Sequence, residues 1–280
     1  MALSDVELQA IHDLLARVGA NDGVQPLSEG FVRGIVRPDH HLEMVWHHDQ
    51  VVALRVFDGT SQELCVDPAF RRRGYGRAVL LPDVPVWAHG MLPGAVAFAR
   101  AQGMELVREL KVMRKAIGES EVNLPEGYAM SSYRELAGAA PEALDARWLR
   151  VNNEAFSWHP EQGGWDSARL DYAREADWFN PDDVLFLHAA ADPREIYGFH
   201  WLKLIPGQAA ETYVIGLGDN ARGRGLGAPL MSAGIAHAAR KNFHEIELYV
   251  EADNAPALAL YEKGGFEVYE RHGMFAPIPQ

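Results

Sequence analysis

Apolar and polar positions divide this chain into short elements whose pattern occurs twice. Glu63-Leu64-Cys65-Val66 and Tyr213-Val214-Ile215-Gly216-Leu217 are runs rich in strand-favouring residues, and each leads into a glycine-rich turn. After the second turn, Ala228 to Lys241 is Ala-rich with few breakers, which predicts a helix. Glu245-Ile246-Glu247-Leu248-Tyr249-Val250 then alternates polar with apolar, the period of a half-buried strand. A second helix is predicted from Asn254 to Lys263, stopped by Gly264-Gly265. The resulting order is strand, glycine loop, helix, strand, helix, strand.

The repeat is clearest at the loops. Val66-Asp67-Pro68-Ala69-Phe70-Arg71-Arg72-Arg73-Gly74-Tyr75-Gly76 corresponds to Leu217-Gly218-Asp219-Asn220-Ala221-Arg222-Gly223-Arg224-Gly225-Leu226-Gly227 at a constant offset of 151 residues. That offset is one domain, and a chain of 280 residues has room for two. Gly118 to Gly127 is polar, contains Pro125 and lacks periodicity, so it is the expected linker between domains at 1–117 and 128–280. The first copy is shortened: thirteen residues separate Gly76 from Gly90, and Pro82 and Pro85 interrupt the helix expected after the loop.

Arg-x-x-Gly-x-Gly between a strand and a helix suits a pyrophosphate. Glycines let the backbone approach an anion and turn successive N–H groups into one concavity, and the following helix offers its positive end. Arg222 and Arg224 add charge beside it. No Lys-Ser/Thr follows the second glycine, so the loop is not of the nucleoside-triphosphate kind. A dinucleotide fingerprint is disfavoured by those arginines and by Lys241-Asn242, where an acidic residue belongs.

Charge narrows the partners further. Twenty-six basic against 39 acidic side chains give a net charge of −13, the wrong sign for neutralising a nucleic-acid backbone. No apolar run is long enough for a bilayer, and the N-terminus has no basic stretch leading into an apolar one, so the expectation is a cytoplasmic protein without a membrane partner. Cys65 is the single cysteine and the histidines are scattered, so no metal is expected.

Arg222 to Gly227, and likewise Arg71 to Gly76, fit the Arg/Gln-x-x-Gly-x-Gly/Ala acyl-CoA signature of the GNAT N-acetyltransferase superfamily. Asn254-Ala255-Pro256-Ala257-Leu258-Ala259-Leu260-Tyr261-Glu262-Lys263-Gly264-Gly265-Phe266 resembles its second signature, where an Asn and a helix flank the CoA arm and a Tyr faces its sulfur. Within the superfamily the chain resembles the mycothiol synthase family at 151–165, Trp178-Phe179-Asn180-Pro181, Gly198-Phe199-His200-Trp201-Leu202-Lys203 and Leu248-Tyr249-Val250-Glu251. The likeness spans the second half and the strand and loop of the first.

That resemblance implies two tandem GNAT-type domains of α/β class on a mixed sheet. It implies acetyl transfer from acetyl-CoA to the cysteinyl amine of cysteinyl-glucosaminyl-inositol, a small thiol-sugar, by a protein expected to be a monomer. Glu211 is the implied base and Tyr261 the acid that protonates the leaving thiolate. Implied donor contacts are Ile215, Gly216, Leu217, Arg222, Gly223, Arg224, Gly225, Leu226, Gly227, Ala228, Asn254 and Ala257. The first copy has the matching positions Leu64, Cys65, Val66, Arg72, Arg73, Gly74, Tyr75, Gly76 and Arg77. Aligned on Gly103 and Gly265, however, it has Ala99 for Tyr261 and Leu92 for Asn254, so a structural role is expected there. Implied substrate contacts are Glu29, Glu161, Lys203, Glu211 and Tyr249. The competing expectations are a tandem GNAT acting on another small amine or a peptide N-terminus, and a non-catalytic acetyl-CoA sensor.

Overall fold

A computed structural model describes residues 3–118, 122–138, 140–159 and 162–278. In chain order the elements are α1 (Asp5–Asp22), α2 (Glu29–Gly34), β1 (His41–His47), β2 (Gln50–Phe57), β3 (Gln62–Val66), α3 (Tyr75–Val79), β4 (Val86–Ala88), α4 (Pro93–Ala101), β5 (Met104–Ala116) and β6 (Tyr128–Ser132). They continue with α5 (Tyr133–Ala137), α6 (Pro141–Ala155), α7 (Ser167–Arg174), β7 (Val184–Ala189), β8 (Ile196–Lys203), β9 (Ala210–Leu217), α8 (Gly227–Arg240), β10 (Glu245–Glu251), α9 (Ala255–Lys263) and β11 (Glu267–Pro277). The chain forms two compact units, one of Met1–Lys111 with Glu251–Asn254 and Glu270–Gln280, the other of Val112–Val250 with Ala255–Tyr269.

The first unit is organised on α1. Ser4 and Glu7 exchange side-chain and backbone hydrogen bonds in a capping box that starts the helix, and Gly23 at φ 74° ends it. Ile11, Leu14, Leu15 and Val18 recur at helical spacing and bury against Val51, Leu54 and Val56 of β2. The strand order is β1-β2-β3-β4-β11-β5, with β11 antiparallel to β4 through Met274 and Trp87.

In the second unit the order is β5-β10-β9-β8-β7-β6. The pairs from β6 to β9 are antiparallel, and β9 with β10 is parallel, so the sheet is mixed. Leu144, Trp148 and Val151 of α6 bury against Phe186, Phe199 and Trp201 on one face. Met231 and Ile235 of α8 cover Ile246, Leu248 and Val250 on the other. Trp148 is 2% exposed and meets four aromatic rings, so its truncation to Ala would cost about 3–5 kcal/mol.

Both units repeat the predicted order of strand, loop, helix, strand, helix, strand. Helix α8 starts one residue before Ala228, and α9 starts at Ala255, leaving Asn254 just outside. Strand β9 starts three residues before Tyr213. Helix α3, after the first loop, is five residues long, as its prolines require. Of the expected linker, 119–121 lie outside the described residues, and the described remainder is neither helix nor strand. Among the described residues no helix is long and apolar enough to cross a membrane.

Candidate active site

Strands β9 and β10 run side by side only briefly. Ile246 pairs with Ala210, Glu247 with Glu211 and Leu248 with Thr212, and there the ladder ends although both strands run on. On its other edge β9 pairs with β8 through Leu217, but Trp201 faces Val214 while Leu202 faces Thr212. Tyr213 is therefore an extra residue, a bulge that bends β9 as it leaves β10. The end of the ladder is an opening in the pairing beside the backbone of Tyr213 to Leu217, whose N–H and C=O groups on that edge suit an extended amide-bearing ligand.

Groups of different chemistry stand on the two faces of this opening. Partners in a parallel ladder share a face, so Glu211 and Glu247 point the same way and Tyr249, two residues on, joins them. Lys203 Nζ lies 3.1 Å from Glu211 Oε2, with the side chains 15% and 16% exposed, and sits 5.6 Å from the centroid of the Trp178 ring. The opposite face carries the α9 residues Tyr261 and Ala257, partly buried against the cluster of Ile246 and Leu248. Burial raises the Tyr261 phenol above its ordinary pKa, so the ring oxygen keeps its proton at neutral pH.

The glycine loop lies where β9 ends. Ala221 and Leu226, each 1% exposed, pin it to the core, and 222–225 between them stay exposed. Gly223 and Gly225 have φ of 72° and 70°, the left-handed region that glycine enters without strain. Leu226 caps α8 without any side-chain hydrogen bond, so the N–H groups of the first turn have no side-chain acceptor there. That donor set and the helix dipole suit a pyrophosphate. Arg222 pairs with Asp219 at 2.8 Å but is 67% exposed, and Arg224 Nη1 donates to the Tyr128 hydroxyl at 3.2 Å. A Cβ on Gly227 would sit 3.8 Å from Leu217 and 3.7 Å from Leu260, so the end of β9, the start of α8 and the helix of Tyr261 converge here.

The remaining expected residues fall as follows. Ile215, Gly216 and Leu217 end β9, Ala228 is exposed in the first turn of α8, and the Asn254 N–H donates to the Glu251 carbonyl just before α9. Glu29 starts α2 in the first unit, and Glu161 lies outside the described residues.

In the first copy, Leu64, Cys65 and Val66 end β3, Arg72 and Arg73 lie in the turn, Gly74 caps α3, and Tyr75, Gly76 and Arg77 lie within it. A cavity of about 730 Å³ adjoins this loop, lined among others by Leu64, Val66, Gly76, Phe98 and Ala99. Arg71 is engaged internally: its Nη atoms donate to both Asp22 carboxylate oxygens at 2.8 and 2.6 Å, and its Nε to the Val66 carbonyl at 3.1 Å. Burial pushes the Cys65 thiol up to about 12, which removes it as a nucleophile.

Sequence reasoning missed Trp178 beneath Lys203, the bulge at Tyr213 and the wholly buried His200, which bonds Thr212. A histidine within the apolar run Phe199 to Leu202 was the available signal. A second cavity, of about 810 Å³, lies at the opposite end of β9 and β10 among Gly207, Gln208, Asn242 and His244, and holds none of the expected residues.

Parted parallel strands, an uncapped helix start behind a glycine loop, and a protonated phenol define an acetyltransferase of the GNAT class, which uses acetyl-CoA. The Acetyltransferase (GNAT) family matches residues 148–266. Mycothiol acetyltransferase of Corynebacterium diphtheriae is 43% identical, with 95% of this chain and 93% of the relative covered. That of Corynebacterium glutamicum strain R is 45% identical, covering 94% and 91%. The chain belongs to the mycothiol acetyltransferase family. Its fold is also that of a solved tandem GNAT protein from the clavulanic acid biosynthesis pathway, at TM-score 0.71 and 21% identity, covering 100% of this chain and 98% of the other.

Proposed function

We propose that the chain transfers acetyl from acetyl-CoA to the cysteinyl amine of cysteinyl-glucosaminyl-inositol, forming mycothiol, and that the second unit performs the chemistry. The observation that carries this reading is the end of the β9–β10 ladder at Leu248 and Thr212, with Glu211 on one face of the opening and the helix of Tyr261 on the other.

The N–H groups of the glycine loop and of the first turn of α8, other than that of Arg224, receive the donor pyrophosphate, Arg222 and Arg224 flank it with their side chains, and the edge at Ile215 to Leu217 aligns the pantetheine arm with Asn254 and Ala257. Glu211 takes a proton from the substrate ammonium, directly or through water. The freed amine attacks the thioester carbonyl, the C–S bond breaks, and Tyr261 gives its proton to the departing thiolate. Lys203 and Tyr249 meet the hydroxyl and ammonium groups of the acceptor, a role that the family resemblance implies for Glu29 and Glu161 as well. Domains at 1–117 and 128–280, with the first serving structure, complete the proposal. Ala99 and Leu92 support it, since neither can replace Tyr261 or Asn254.

Purified protein incubated with acetyl-CoA and the cysteinylated acceptor should yield one product heavier by an acetyl group, located on the amine by fragmentation mass spectrometry. No product there, but acetylation of another small amine or a peptide N-terminus, would replace the substrate while keeping the chemistry.

A further inference from the structure

His200 is 0% exposed, in the interior of the second unit. Its Nδ1 lies 3.3 Å from the carbonyl oxygen of Leu230, in the first turn of α8. A carbonyl only accepts, so Nδ1 carries the hydrogen and donates. Nε2 lies 3.0 Å from Thr212 Oγ1 and, in that tautomer, accepts from the hydroxyl. Burial lowers the imidazole to about 4, so the neutral ring with this hydrogen-bond pattern persists at neutral pH.

The ring also has no room to move. A Cβ at Gly234 of α8 would fall 2.1 Å from His200 Nδ1 and Cε1, so the helix lies directly on the imidazole. One side chain of β8 is thus fixed to the first turn of α8 on one side and to β9 on the other. The attachment point on β9 is Thr212. This residue is the last of β9 to pair with β10, it precedes the bulge at Tyr213, and it follows Glu211.

We infer that His200, acting through the Thr212 hydroxyl, is a positioning residue for acetyl transfer, setting where β9 leaves β10 and hence how the opening stands relative to the start of α8. The inference rests on reading Glu211 and the parted strands as the acyl-transfer site. Past Thr212 the β10 ladder has ended and β9 is held in the sheet through β8, whose register is interrupted at Tyr213, so the angle at which β9 leaves β10 depends on what fixes Thr212. The Thr212 to His200 to Leu230 chain supplies that constraint with neutral groups only, so it adds no charge beside Glu211.

Thr212→Val keeps the shape of the side chain and removes the hydroxyl, whereas Thr212→Ser keeps the hydroxyl. In steady-state kinetics of the full chain with acetyl-CoA and the cysteinylated acceptor, Thr212→Val should lower kcat about ten- to a hundredfold, the scale of a small misplacement of reacting groups. Its KM for acetyl-CoA should change much less, and Thr212→Ser should stay within about twofold of the parent in kcat. A purely structural bond would lower the melting temperature and leave kcat per folded molecule unchanged. Thr212→Ala replaces Thr212→Val if the latter does not fold, with the same expectation. The inference is overturned if the hydroxyl-free variant folds and turns over like the parent, or if Thr212→Ser loses as much. Glu211→Gln, measured in parallel, separates the two levels. If it is inactive while Thr212→Val is unimpaired, only the positioning role falls. If Glu211→Gln works at full speed, the reading beneath it falls as well.

Discussion

Lys203 Nζ and Glu211 Oε2 lie 3.1 Å apart on neighbouring strands, both side chains mostly withdrawn from water. The partners are directly opposed in the β8–β9 register. Removing one member leaves the other charge poorly solvated, so Lys203→Met should destabilise the fold by about 2 kcal/mol, below the scale of a fully buried pair. Adding Glu211→Gln should restore part of that loss. Urea unfolding of the two single variants and the double measures the coupling, and additive effects would show that the pair contributes nothing.

The same carboxylate tests the proposed chemistry. Glu211→Gln keeps size and a hydrogen-bonding oxygen but cannot take a proton, so kcat should fall about a hundredfold or more while acetyl-CoA affinity stays nearly intact. Stopped-flow or single-turnover acetylation, paired with calorimetric titration of CoA, reads the two quantities separately. Unchanged turnover across pH removes Glu211 from the mechanism.

Tyr261→Phe removes one hydroxyl and no packing, so the melting temperature should hardly move while kcat drops. The raised phenol pKa fixes the direction of a second observable. The folded state holds this proton more tightly than the unfolded chain, so the stability it contributes is complete below the ordinary tyrosine value near ~10 and declines as pH rises through the higher folded value. Alkaline unfolding of the parent should therefore be steeper than that of Tyr261→Phe.

The two loops should respond differently to the same change. Gly225→Ala and Gly74→Ala both force an alanine into a left-handed backbone, at φ 70° and 90°, costing about 1 kcal/mol each. Gly225→Ala should also raise the KM for acetyl-CoA, because the loop holds the donor in the proposed site. Gly74→Ala should leave the chemical step alone. A folded Gly74→Ala protein with turnover as low as that of Tyr261→Phe would assign catalysis to the other copy.

Acid should weaken the fold through two histidines. Burial lowers His200 and His272 from 6.5 to about 4. Between those values the unfolded chain binds protons that the native state refuses, so stability is full above about pH 6.5 and falls as pH drops toward 4. Each group accounts for a loss on the order of 3 kcal/mol when the whole window is crossed. His272→Phe should flatten its share of the slope in urea midpoints measured from pH 7 to 4.5. A slope identical to the parent's would place the acid sensitivity elsewhere.

Local chemistry made much of this molecule legible in its sequence. The glycine turns, the Ala-rich α8 and the alternation of β10 depend on neighbouring residues, and their bounds agree with the structure to within a residue. What could not be read depends on distant parts of the chain meeting. Nothing near Glu211 in sequence announces Lys203 as its partner or Trp178 beneath that lysine. The bulge at Tyr213 is set by pairing with β8, not by any breaker in the strand. The order of elements predicts a final strand after the second helix, but not that its Gly273 to Phe275 pair with Ala88 to Val86, far earlier in the chain.

Arg71 and Arg222 occupy the same letter of the same motif, yet their guanidinium groups are committed differently. The first uses both Nη atoms on Asp22 and its Nε on Val66, whereas the second is 67% exposed and engages Nη2, which pairs with Asp219 three residues away and donates to the Glu154 carbonyl at 3.5 Å. A pattern search scores these arginines as equal and would transfer one role to both. Hydrogen-bond accounting ranks them instead by what remains to offer: one is a rivet in its own framework, the other a hand held out. In a duplicated fold, the copy whose motif donors are less committed to its own framework is therefore the better placed to hold a ligand.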